Sequence, residues 1–151
     1  MEYRIEKKPQ FTVMGIARKF NCATAYCEIP KFWDEFMKSD LSDEIDGTYG
    51  LCFDGCGGEF TYYIADDYYP WAEIPSNLEI KIISAHTWAV FSCFGKLPES
   101  LQKLNDEIWK EWLPSNGKYR LAENMNIEFY APSSDDSEID YCEIWIPVEE
   151  V

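Results

Sequence analysis

The sequence predicts an α+β domain: an antiparallel sheet built from duplicated strand-helix-strand-strand modules, with two helices on one face and a ligand groove on the other. Three observations point there. Period-two apolar runs are bounded by Gly, Pro and Asp, two helical stripes are each opened by a proline, and the order strand, helix, strand, strand occurs twice. A chain of 151 residues with 46% hydrophobic content can bury the core of one domain, 1–151, with pseudo-repeats at about 1–72 and 73–151.

Residues 2–7 and 11–20 read as one strand broken at Pro9, which lacks the donor a continuous ladder needs. Pro30 suits a first helical position, and Phe32, Trp33, Phe36 and Met37 follow at helical spacing, predicting a helix over about 30–41. Strands at 48–54 and 59–66 form a hairpin around Gly55, Cys56, Gly57 and Gly58; no helix or Lys follows these glycines as a phosphate loop requires. After a Pro-rich connector the pattern restarts with strands at 78–82 and 87–94 around a break at Ser84, Ala85 and His86. Pro98 opens the second helix, whose stripe is Leu101, Leu104, Ile108 and Trp112, with Asp106 and Lys110 placed to pair on the exposed side. Strands at 126–131 and 141–148, joined by a polar loop, end the chain.

Lys and Arg total 13 against 28 Asp and Glu, and the resulting charge of -15 argues against nucleic acid and anionic membranes as partners. With no signal-like apolar run at the N-terminus and no membrane-length apolar stretch, the expectation is a cytoplasmic protein with its six cysteines reduced. The Cys spacings have no companion His, and neither a metal nor a cofactor is expected. Aromatic residues make up 17% of the chain, enough to line a cleft as well as a core.

The last strand holds the candidate site. Period two puts Cys142, Ile144, Ile146 and Val148 on a core face and Tyr141, Glu143 and Trp145 on the other, setting a carboxylate between two rings. With Ile127 and Phe129 on the same core face, Glu128 and Tyr130 join Glu143, and a loop centred near residue 136 sets Glu128 opposite Glu143. Two carboxylates beside water-excluding rings raise each other's pKa, and an organic cation relieves the conflict.

The segments Glu143-Ile144-Trp145-Ile146-Pro147-Val148, Thr87-Trp88-Ala89-Val90-Phe91-Ser92-Cys93-Phe94-Gly95 and Trp109-Lys110-Glu111-Trp112-Leu113-Pro114 with Tyr119-Arg120 resemble the gyrase-inhibitor-like (GyrI-like) domains, the effector-binding domains of AraC- and MerR-type transcription activators. The resemblance implies a groove for amphipathic, often cationic molecules. Glu143 matches the family's groove acid, Glu128 falls on a second acidic position, and Trp88 stands where the family has Tyr. It also implies a stand-alone sensor or sequestering module walled by Tyr141, Trp145, Trp88 and Tyr130, whose transcriptional role needs a separate DNA-binding chain. Two alternatives come with it: a hydrolase of cyclopropane-type toxins with Glu143 as general base, or a DNA gyrase-binding inhibitor.

Overall fold

The computed structural model describes residues 2–53, 58–70, 77–131 and 140–151. The turn expected at Gly55, Cys56 and Gly57, most of the Pro-rich connector, and the polar loop between the last two strands lie outside the described residues.

The strands are β1 (Tyr3–Lys8), β2 (Phe11–Asn21), β3 (Tyr49–Phe53), β4 (Glu59–Asp67), β5 (Glu79–Ile83), β6 (His86–Gly95), β7 (Tyr119–Leu121), β8 (Met125–Tyr130) and β9 (Asp140–Glu150). They form one antiparallel sheet in the order β1-β6-β9-β8-β3-β4-β2-β5, with β7 paired to the end of β9. The broken strands cross between modules. β1 edges the second module beside β6, and β5 edges the first beside β2.

Helix α1 spans Ala25–Met37 and α2 spans Glu99–Glu107, continuing through a wide π-helical turn, Ile108–Trp112, and a last turn, Leu113–Ser115. Both lie on one sheet face. Phe32 and Phe36 of α1 pack on Met14, Phe20, Tyr62 and Ile64, while Leu101, Leu104 and Ile108 pack on Ala89, Phe91, Cys142, Ile144 and Ile146. The Asp106–Lys110 pair forms at 3.6 Å. No helix among the described residues is long and apolar enough to cross a membrane.

The α+β class holds, but the groove is not on the face away from the helices. That face carries a second core, in which Val13, Leu51, Ile83, Trp88, Val90, Ile127 and Trp145 pack together. Strand β9 is therefore covered on both sides, every residue from Cys142 to Val148 being buried. Ile127 and Ile144 both belong to cores, on opposite faces of the sheet.

Helix α1 starts five residues before Pro30, so the proline lies inside it. A proline at this position has no N–H for the carbonyl four residues back. That carbonyl, of Tyr26, instead accepts a 3.0 Å hydrogen bond from Gln102 Nε2 on α2, which joins the two helices. Gln102→Ala is expected to cost about 0.5–1.5 kcal/mol, and much less when Pro30→Ala restores the backbone donor. Urea unfolding of the double-mutant cycle measures the coupling; additive costs would contradict it.

Candidate functional site

A cavity of about 380 Å³ lies between α1 and α2. Tyr26, Ile29, Pro30 and Trp33 wall one side, Leu97, Pro98, Leu101, Gln102 and Asn105 wall the other, and Glu128 and Tyr130 of β8 form the floor. The walls are largely apolar side chains, so the floor carboxylate is the dominant charge.

Glu128 Oε1 accepts hydrogen bonds from Tyr62 Oη at 2.6 Å and Tyr130 Oη at 2.8 Å, and Tyr62 Oη in turn accepts one from Trp33 Nε1 at 2.9 Å. Among the described residues no Lys, Arg or His pairs with this carboxylate, and Oε2 has no hydrogen-bond donor. Burial raises the pKa of Glu128 above the usual carboxylate value, against the opposing pull of the two phenol hydrogen bonds. Burial, and then the negative charge of Glu128, holds the Tyr62 and Tyr130 hydroxyls well above their ordinary range. Gly50 makes room for the cluster: a Cβ there would run into Tyr62 Oη and come within 2.5 Å of Glu128 Oε1.

The pairing of β8 with β9 separates the residues the sequence had grouped. Glu128 pairs with Ile144, Phe129 with Glu143 and Ile127 with Trp145, one residue off the expected register. A one-residue slip exchanges faces. Glu128 and Tyr130 therefore face the inter-helix cavity, whereas Glu143, Tyr141, Trp145 and Trp88 lie on the opposite face.

On that opposite face the acid-and-indole arrangement exists, and the chain supplies its own cations. Glu143 is 5% exposed and accepts hydrogen bonds from Arg4 Nη2 at 2.8 Å, Tyr141 Oη at 2.6 Å and Trp145 Nε1 at 2.9 Å. Lys8 Nζ sits 4.5 Å from the Trp145 ring centroid, and Glu6 bridges Lys8 and Arg4. Burial opposes ionisation of Glu143, but the Tyr141, Arg4 and Trp145 donors prevail and lower its pKa. A lowered pKa is the opposite of what a general base near neutrality needs. Trp88 is 0% exposed and packs edge-on against Trp145, which leaves it no surface for a ligand.

The sequence reading missed Trp33, Tyr62, Tyr26 and Gly50. Trp33 was visible as an aromatic on the first helix, but nothing local tells a cavity-facing ring from a core ring. His86 begins β6 and meets Glu123 Oε2 at 2.9 Å. Among the described residues no group of three His, Cys, Asp or Glu side chains is placed to hold a metal.

Residues 4–148 match the Cass2 family, integron-associated effector binding proteins. The chain belongs to this family. The match makes it a GyrI-like effector-binding domain. Three solved structures show the same fold as this Cass2 member. SAV2435 bound to tetraphenylphosphonium is 21% identical, with a TM-score of 0.83 over 99% of this chain and 94% of that one. The integron cassette protein VCH_CASS2 from the mobile metagenome of Vibrio cholerae is 20% identical, with a TM-score of 0.74 over 97% and 95%. The EcmrR C-terminal domain is 19% identical, with a TM-score of 0.64 over 99% and 98%. No curated protein matches the sequence.

The two acids should respond oppositely to pH. Glu143, held below its ordinary value of 4.5, contributes stability that is present above that pH and lost as the pH falls through its lowered value. Glu128, held above 4.5, favours the fold while protonated and loses that contribution as the pH rises through its raised value. Glu143→Gln is expected to destabilise by about 1–2 kcal/mol near neutral pH and by much less near pH 3. Glu128→Gln should raise neutral-pH stability. Denaturant unfolding across pH reads both signs, and equal signs would contradict the assignment.

Proposed function

We propose that the protein binds amphipathic organic cations in the inter-helix cavity, as a sensor or sequestering module. Glu128 is the counter-charge, and Trp33, Tyr26 and Tyr130 are the aromatic walls. The observation that carries this reading is a carboxylate at the floor of an apolar cavity with, among the described residues, no Lys, Arg or His paired to it. An ionised carboxylate in such a place is unfavourable, so its pKa rises until an opposite charge arrives. A flat or quaternary cation brings that charge without demanding a hydrogen-bonded partner for every polar atom. Ring faces add about 0.5–2 kcal/mol per contact, more as water leaves.

Membership of an effector-binding family supports a small-molecule ligand, and the cation bound by SAV2435 supports the charge. The contrast with Glu143 supports the choice of acid, because Arg4 already neutralises that one. A regulatory role follows if the filled cavity changes how α1 and α2 sit against each other, since Gln102 and Asn105 tie both helices together at its rim.

Titration with tetraphenylphosphonium, followed by Trp fluorescence, tests the reading. Glu128→Gln should weaken binding about 10- to 100-fold, or about 1.4–2.7 kcal/mol. Glu143→Gln should change it by no more than about twofold, and wild-type affinity should fall as the pH drops through the raised Glu128 value. Equal affinity of wild type and Glu128→Gln would overturn the counter-charge assignment.

A further inference from the structure

A second cavity, of about 520 Å³, adjoins the first, and Tyr26, Ile29, Asn105 and Glu128 border both. Tyr26 stands at the divide. Its hydroxyl donates to Asp106 Oδ1 at 2.7 Å and accepts from Asn105 Nδ2 at 2.9 Å, so α1 and α2 touch above the passage from one chamber to the other. The second chamber has the more polar lining, with Asn126, Cys52 and Phe60 on its sheet side and Trp109 and Lys110 on its helix side.

Asn126 is the telling residue. The residue is 6% exposed and lines this chamber, and among the described residues no side-chain hydrogen bond holds its amide. Its amide is open to the chamber, since the sealed side-chain atoms without a partner among the described residues are Trp88 Nε1, Ser100 Oγ and Asn116 Nδ2, and a ligand group that displaces water from it must replace the hydrogen bonds that water made. Asn126 and Glu128 stand two residues apart on β8 and so on the same face, which spaces them roughly 7 Å apart along the strand. An amide offers both a donor and an acceptor, a match for another amide.

We propose that the second chamber is a hydrogen-bonding subsite for the tail of the ligand, with Asn126 reading a neutral carboxamide carried about 7 Å from the cationic centre. This rests on the cation reading above. The protein then discriminates among cations by what they carry and not by charge alone. A polar tail that fills the chamber leaves the Asn126 amide paired, whereas an apolar tail leaves it buried and unpaired, which is the stronger source of selectivity.

Two benzyldimethylammonium salts test this, one with a five-carbon arm ending in a carboxamide and the other with the arm ending in an isopropyl group. Wild type should prefer the carboxamide about tenfold, and Asn126→Leu should bring the ratio close to one. Asn126→Ala repeats the measurement with a side chain that cannot overfill the site, and far-ultraviolet circular dichroism reports the fold of each variant. Binding of both salts by wild type with no preference, or with a preference that survives both substitutions, overturns the subsite and leaves the cation reading standing. Failure of wild type to bind either salt or tetraphenylphosphonium overturns both.

Discussion

An acid with no positive partner among the described residues, held under two phenol donors, is the constraint around which the helix-bearing face is arranged. Glu128 needs Tyr62 and Tyr130 to be tolerable where it is, Tyr62 is held in turn by the Trp33 indole, and Gly50 must lack a side chain for the group to close. Three strands and a helix thus contribute to one carboxylate. Without its donors the acid would be still harder to ionise, and a lysine paired to it would supply the counter-charge from within the chain.

Glu128 and Glu143 show how context decides chemistry. Glu143 has the same functional group and nearby tyrosine and tryptophan donors, yet Arg4 and the Lys8–Glu6 pair neutralise its surroundings. It ties edge strand β1 to β9 across β6, so the charge cluster helps hold the crossed-over strand in place.

Most of the strands and the α+β class were legible in the chain, because alternation marked the strands and an apolar stripe marked α2. The start of α1 was not, since Pro30 reads locally as a first-turn residue and only a side chain from the other helix makes it acceptable inside. The face of the acid was lost for a different reason. Period two separates two faces but cannot say that both are covered by cores, and with Ile127 and Ile144 both apolar the simplest guess put them together. One residue of register then moved Glu128 to the wrong side. The aromatic and acidic content of the last hairpin singled out both acids, while the difference between Glu128 and Glu143 depends on Arg4, some 139 residues away in sequence.

The account stands or falls on the protonation of Glu128, which NMR can follow directly through its side-chain carboxyl carbon in a pH titration with and without tetraphenylphosphonium. The expected result is a midpoint above 4.5 in the free protein that moves down when the cation is present, while Glu143 titrates below 4.5 in both conditions. A Glu128 midpoint at or below the ordinary value in the free protein, or one indifferent to the cation, would contradict it.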